Sequence, residues 1–373
     1  MGSRRWLDVQ LRILSTIVLL CAALLAVLQR DRVVPSLAGL TLSFALTITE
    51  EVTSLVRNFC DLQNQLVGLE RIIEYTDLQT EAPDVTDILL PASWPSKGRV
   101  SFKNYSARYR EGLDLVIKNI TVDILPGEKV GIVGRTGAGK SSLTLALFRL
   151  IEAANSYWAK ESDNSRAAGS NAGPFELPSS GNSSIDESGG YIEIDGVDIS
   201  TVGLEDLRRH LAIIPQDPTL FAGSVRDNLD PFQELEDADL WEALGRAHLK
   251  DVISALPGGL AFEVSTNGDN FSVGQRSLIC LARALLRKTK ILVLDEATAA
   301  VDIETDELIQ KTIRQEFKDR TILTIAHRIK TVMDSDKILV LEKGRVEEYE
   351  RPSVLLQREG SLFYRLAEQA GEV

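Results

Sequence analysis

The stretch Gly134-Arg135-Thr136-Gly137-Ala138-Gly139-Lys140-Ser141-Ser142 constrains this chain more than any other. The apolar run Lys129–Val133 precedes it, and Leu143-Thr144-Leu145-Ala146-Leu147-Phe148 follows. The order is therefore strand, glycine loop, helix, the setting in which G-x-x-x-x-G-K-[ST] acts as a phosphate loop. Glycines let successive backbone N–H groups turn inward around phosphates. The helix N-terminus adds partial positive charge at the same point. Lys140 supplies a point charge for the β- and γ-phosphates, and the Ser141 hydroxyl suits Mg²⁺. The competing reading is a Gly-rich turn that binds nothing; chance produces the pattern in about one chain of this length per hundred.

A chain of 373 residues has room for more than one domain and a sizeable core. Its net charge of −13 argues against nucleic acid as a partner, because such a partner calls for a basic face. Cys21, Cys60 and Cys280 lie far apart without metal spacing and read as free thiols in reducing surroundings. Three histidines, His210, His248 and His327, leave little for a histidine metal site.

Two apolar runs, Ile13–Leu28 and Val33–Ile48, flank Gln29-Arg30-Asp31-Arg32. Each is slightly short of the ~20 residues that span a bilayer, but with flanking residues the pair reads as a membrane-crossing helical hairpin. Arg4, Arg5 and Arg12 place its ends on the cytosolic side. A signal peptide and a pair of buried helices in a soluble core are the competing readings; the first lacks an A-x-A-type cleavage site. Beyond Ile48, residues Val52, Leu55, Phe59, Leu62, Leu66, Leu69 and Ile73 recur at steps of three and four. They form one apolar seam on a long helix, expected to run on into the cytosol and pack on a partner helix. Pro83, Pro91 and Pro95 mark a linker, so the expected division is 1–80, a linker 81–97, and a domain 98–373.

Strand-like stretches then alternate with helical ones: Arg99–Phe102, Leu115–Ile124, Lys129–Val133, Tyr191–Ile194, Leu211–Ile214, Ile291–Leu294, Thr321–Ile325, Lys337–Leu341 and Val346–Tyr349. The short apolar runs Ile291–Leu294 and Thr321–Ile325 suit the centre of a parallel sheet. The expected fold class is α/β with a β-rich N-terminal lobe, its ligand at the carboxyl ends of the strands. The phosphate loop, Asp295-Glu296 and His327 all fall at such ends. The Ser/Gly/Asn-rich stretch 153–190 is poor in large apolar residues and is expected to be a disordered surface insertion.

Together with the phosphate loop and Ile291–Glu296, the run Asn270-Phe271-Ser272-Val273-Gly274-Gln275-Arg276 resembles the nucleotide-binding domain of an ATP-binding cassette transporter. Most phosphate-loop ATPases lack this signature-like run. Asp227-Asn228-Leu229-Asp230-Pro231-Phe232 and Leu281-Ala282-Arg283-Ala284-Leu285-Leu286-Arg287 resemble the second nucleotide domain of the C subfamily, the multidrug-resistance-associated group. The resemblance implies a phosphate-loop NTPase with a RecA-like core, a β-rich lobe and a helical signature subdomain, preceded by the last two membrane helices of the second membrane domain.

The resemblance assigns roles by position. Tyr109 matches the aromatic residue that stacks on adenine, with Tyr105 as the fallback. Residues Gly134, Arg135, Thr136, Gly137, Ala138, Gly139, Lys140, Ser141 and Ser142 hold the phosphates of ATP. Ser141, Gln216 and Asp295 hold or orient Mg²⁺, and Gln216 senses the membrane domain. Glu296, after Asp295 at a strand end, is the general base for water; an ion-pair partner is its plainer reading. His327 contacts the γ-phosphate, and Asp302 communicates between two sites. Ser272, Gly274 and Gln275 serve the ATP held by an opposite nucleotide domain. Departures from the family pattern are Ala300 for a common Ser, Phe271 for Leu and Ser277 for Gln.

The expected activity is Mg-dependent ATP hydrolysis driving export across a membrane. The chain would be the C-terminal piece of a larger or partnered transporter, with its nucleotide domain in the cytosol. Partners implied are a second nucleotide domain, the remaining membrane helices, the lipid bilayer and a substrate that the resemblance suggests is an organic anion or conjugate. An ATP-gated regulatory module, a soluble cassette ATPase of translation or repair, and a non-transporting fragment are the rival readings.

Overall fold

The computed structural model describes residues 2–28, 34–78, 80–86, 88, 90–91, 93–110, 112–154, 190–295, 301–326 and 328–371. The chain divides into two compact units, Met1–Thr80 and Glu81–Val373.

The first unit is a pair of helices in contact, α1 (Gly2–Leu28) and α2 (Pro35–Thr76). Pro35 starts α2 at its first turn, where the missing N–H costs nothing. The second apolar run and the seam are one continuous 42-residue helix. All seven seam residues, Val52 through Ile73, are exposed, as are Ile13, Val18 and Leu25 of α1. The expected pair of membrane crossings needs correction: among the described residues no helix is long and apolar enough to cross a membrane. At 1.5 Å per residue, Ile13–Leu28 rises roughly 24 Å, less than the ~30 Å hydrocarbon core. The apolar start of α2 is cut off after a similar rise by Glu50 and Glu51.

The second unit contains two main sheets. Strands β1 (Val100–Ala107), β2 (Ile117–Ile124), β4 (Tyr191–Ile194) and β5 (Val197–Asp198) form an antiparallel sheet in the order β2-β1-β4-β5. The larger sheet runs β12-β11-β3-β10-β9-β6. It comprises β3 (Lys129–Gly134), β6 (Leu211–Ile214), β9 (Ile291–Asp295), β10 (Thr321–Ile325) and β11 (Lys337–Glu342), all parallel, with β12 (Arg345–Glu350) as an antiparallel edge. A short pair, β7 (Gly223–Ser224) with β8 (Glu263–Val264), is antiparallel. The helices of this unit are α3 (Lys140–Leu147), α4 (Leu204–Arg209), α5 (Val225–Leu229), α6 (Asp237–Arg246), α7 (Lys250–Ser254), α8 (Val273–Leu286), α9 (Ile303–Glu316), α10 (Pro352–Leu356) and α11 (Leu362–Ala370).

The central strands are apolar on both faces, as a parallel sheet covered on both sides requires. Alternate residues enter different cores. Ile291 and Val293 of β9 join Leu143 and Leu147 of α3 and the antiparallel sheet, whereas Leu292 and Leu294 join the helical cluster around α5, α6 and α8. Ile338 and Val340 of β11 face a third cluster built on Phe363 and Ala367 of α11. Burying Leu143 and Leu147 stabilises α3 by about 1.5–3 kcal/mol each, which holds the phosphate-loop helix against the sheet.

The stretch expected as a linker is anchored to this unit. Leu204 and Glu205 donate their backbone N–H groups to the carbonyls of Pro83 and Asp84. Arg208 reaches Glu81 at 2.9 Å, and the buried Trp94 donates its indole N–H to Ile194 O. The core of the expected insertion, residues 155–189, lies outside the described residues.

Candidate functional site

The glycine loop leaves β3 at Gly134 and enters α3 at Lys140. Gly134 pairs with Leu341 of β11, and a Cβ there would come within 2.3 Å of the Leu341 carbonyl oxygen. Gly139, with φ +101°, caps α3 without a side chain, and a Cβ would meet Val116 O at 3.2 Å. The turn is closed by Ala138 N–H to Arg135 O at 3.0 Å. Lys140 is buried, and its ammonium donates to Gly134 O at 2.8 Å, back across the loop. Arg135, Thr136, Gly137 and Ser141 are exposed, whereas Ala138 and Ser142 are buried. Ser142 Oγ lies 2.8 Å from the hydroxyl of Tyr109.

Strand pairing brings the second part of the sequence-predicted site alongside. Ile325 of β10 is level with Ile132 of β3 on one side and with Asp295 of β9 on the other. At strand spacings near 4.8 Å, the Asp295 backbone therefore lies about 10 Å from β3, at the same edge of the sheet as the loop. Ile214 of β6 pairs with Leu294, so Gln216, two residues on, emerges beside the Asp295 end. Glu296 and His327 follow β9 and β10 in sequence and lie outside the described residues.

The remaining predicted residues stand on another core. Ser272 caps α8 in a capping box: its Oγ accepts from Gln275 N at 3.1 Å, and Gln275 Oε1 accepts from Ser272 N at 3.0 Å. Phe271 and Leu278 anchor this helix start in the helical cluster, apart from the cluster that holds α3. A Cβ at Gly274 would come within 3.2 Å of Thr305 Cγ2 and 3.6 Å of Asp302 Oδ1. Asp302 caps α9, and the N–H and hydroxyl of Thr305 hold its carboxyl below the ordinary carboxylate range. Thr305 was not legible as a neighbour of Gly274, because only the packing of α9 on α8 unites them.

Of the two tyrosines, Tyr105 is a core residue, 4% exposed, its ring edge-on to Phe102 and its hydroxyl donating to Ile151 O. Tyr109 is 52% exposed. Arg283 and Asn228, in the two family-like runs, pair with each other: Arg283 donates to the backbone and side-chain oxygens of Asn228, both at 2.6 Å. A cleft of about 450 Å³ opens beside them, lined by Phe221 and Phe232, and a second of about 580 Å³ lies along α9; neither is lined by Lys140, Ser141 or Asp295.

The residues fit a magnesium–triphosphate. Glycines stand where a Cβ would strike backbone, exposed loop residues lie beside a buried lysine, and the exposed Ser141 follows the loop at the sheet edge where β9 ends in Asp295. Fold and loop together define a phosphate-loop domain, and comparison with known proteins narrows this. The family model for the ABC transporter matches residues 117–170 and 181–299. The chain carries an ABC transporter ATP-binding domain.

Within that class the chain belongs with the C subfamily. It is 50% identical over 369 residues to ATP-binding cassette sub-family C member 2 of Rattus norvegicus, covering 99% of this chain and 22% of that protein. It is 48% identical over 371 residues to sub-family C member 3 of Mus musculus, again covering 99% and 22%. ABC transporter C family member 8 of Dictyostelium discoideum is 50% identical over 365 residues, 98% of this chain and 21% of that one. The chain thus spans about a fifth of the length of these relatives. Among solved structures, a bacterial Atm1-family ABC exporter with ATP bound superposes with a TM-score of 0.65 at 29% identity, over 89% of this chain and 52% of that one.

Proposed function

We propose that this chain binds ATP with Mg²⁺ and hydrolyses it as one of two facing nucleotide domains, driving export through a larger or partnered transporter. The buried Lys140 at the end of the glycine loop, which leaves β3 at the sheet edge where β9 ends in Asp295, carries this reading. In it, the loop amides and Lys140 grip the phosphates, Ser141, Gln216 and Asp295 hold and orient the metal, and Tyr109 stacks on the base. Bound Mg²⁺ neutralises phosphate charge. Glu296 takes the proton of the attacking water, and His327 contacts the γ-phosphate.

Ser272, Gly274 and Gln275 serve a partner domain's nucleotide. Their start of α8 rests on a different core from α3, and this separation supports a site completed between two domains. The exposed Leu, Ile, Val and Phe side chains along α1 and α2 support membrane association, covered by the rest of a transporter and by lipid. The nucleotide domain then faces the cytosol, and the cargo is an organic anion or conjugate. ATPase measurement on the chain alone and with a second nucleotide domain tests the proposal. Turnover that rises with the partner and vanishes in Glu296→Gln is expected; equal turnover in that variant contradicts it.

A further inference from the structure

We infer that the groove along α9 is a binding site for a small phosphorylated polyol, separate from the glycine loop. The inference stands apart from the triphosphate reading, because none of Lys140, Ser141 and Asp295 lines this groove.

The two walls are held by different cores. On α9, Ile309 and Ile313 pack into the helical cluster, with Glu307, Lys311 and Arg314 on the exposed side. The facing wall is the 3₁₀ turn Ile329–Val332, whose Ile329 and Val332 are buried in the cluster around Phe363. Arg314 meets Asp334, just past that turn, at 2.8 Å and ties one wall to the other. Between the walls lies a space of about 580 Å³, within the range of small-ligand cavities.

The charges select the ligand. In a chain of net charge −13, four exposed cations converge here: Lys311 and Arg314 from α9, Arg328 and Lys330 from the other wall. Arg314 is taken by Asp334, whereas Lys311, Arg328 and Lys330 make no ion pair. Glu307 stands one helical turn before Lys311 without pairing with it. Cations on both walls grip phosphates from two sides, Arg328 through its planar fork and the lysines as point charges. No apolar side chain is among the described residues that line the groove, which excludes an apolar ligand. Two carboxylates, Asp306 and Glu307, share it. They repel a bare polyphosphate but accept hydrogen bonds from hydroxyls. Phosphates for the cations and hydroxyls for the carboxylates together describe a phosphorylated polyol. A soluble phosphate ester and the headgroup of a phosphoinositide lipid offer the same groups.

The test titrates the full chain calorimetrically with inositol trisphosphate. Lys311→Gln and Arg328→Gln should each weaken it roughly three- to tenfold, between the values for exposed ion pairs and for charged hydrogen bonds. Both side chains are exposed, so neither substitution threatens the fold. Lys318→Gln, an exposed site just beyond α9 and outside the groove, should stay within about twofold, as should Lys140→Ala. Glu307→Gln should shift the preference from inositol trisphosphate toward tripolyphosphate by about threefold or more. Absence of binding by the wild-type chain overturns the inference, and so do equal losses in Lys318→Gln, which mean unspecific charge. Loss of binding in Lys140→Ala places the probe on the glycine loop and also overturns it, and an unchanged preference in Glu307→Gln removes the polyol. Phosphatidylcholine vesicles with and without phosphatidylinositol bisphosphate distinguish the sources. A gain with that lipid that Lys311→Gln abolishes supports the site with a membrane headgroup in it; binding of the soluble probe without such a gain supports it with a free phosphate ester.

Discussion

The ammonium of Lys140 donates to the carbonyl of Gly134, 2.8 Å away, so the cation of the loop is buried against the strand that delivers it. A buried ammonium is costly without acceptors, and Gly134 O supplies one at the mouth of the loop. Lys140→Ala should therefore weaken MgATP about ten- to a hundredfold, the range for hydrogen bonds to charged groups. Titration calorimetry reads the loss, and unchanged affinity would contradict the loop's role.

Gly134 meets Leu341 so closely that a methyl group would sit 2.3 Å from a backbone oxygen. Neither side can yield without parting β3 from β11, which pair at that level. Gly134→Ala should cost about 3 kcal/mol or more, in line with strain in a packed site. Thermal unfolding should register it even where nucleotide is absent, and a melting temperature equal to wild type would show that the strands have room.

Arg283 grips Asn228, whose side chain in turn accepts from Phe221 N and donates to Phe221 O and Ser224 O. Asn228 is 3% exposed, so loss of the guanidinium takes a donor from its backbone oxygen and leaves Oδ1 with Phe221 N–H. Arg283→Ala should cost about 3 kcal/mol. Arg283→Lys should recover little, because the planar fork is what meets both oxygens. A double-mutant cycle with Asn228→Ala should come out non-additive; simple additivity would mean the pair acts independently.

Asp123 accepts hydrogen bonds from Arg99, which hold its carboxyl at about 2, with Ser101 assisting. A folded-state value below the ordinary carboxylate value of about 3.9 stabilises the fold above that pH and loses the effect as pH falls toward 2. Arg99→Met should raise the Asp123 midpoint toward about 4, readable by NMR, and shift the acid transition to higher pH. A midpoint still near 2 in that variant would assign the shift to another group.

Glu296 stands next to Asp295 in sequence and carries the proposed base role. In the partnered assembly Glu296→Gln should reduce turnover at least about a hundredfold while retaining bound ATP. Turnover close to wild type would remove it from that role.

Much of this was legible in the residues. The phosphate loop is contiguous, so its glycines, lysine and hydroxyls specify a local backbone path without help from the rest of the chain. Strand runs such as Ile291–Leu294 and Thr321–Ile325 were legible for the same reason, since short runs of apolar and β-branched residues suit a strand between two covered faces. The extended β1, running to Ala107 beyond the expected Phe102, was hidden by Lys103, Asn104 and Ser106, polar residues that break the apolar run.

Other features depended on partners far along the chain. No local pattern says that β10 stands between β3 and β9, yet that order alone sets Asp295 level with Ile132. The 81–97 stretch reads as a linker because proline marks chain breaks, whereas the carbonyls of Pro83 and Asp84 find their donors, and the Trp94 indole N–H its acceptor, only once α4 and β4 are in place. The tie from Tyr109 to Ser142 likewise exists only because β1 delivers its tyrosine to the first turn of α3. The sequence alone determined the segments whose conformation is set by their own neighbours. Tertiary structure decided what they meet, because contacts between distant residues carry no periodicity for a single stretch to display.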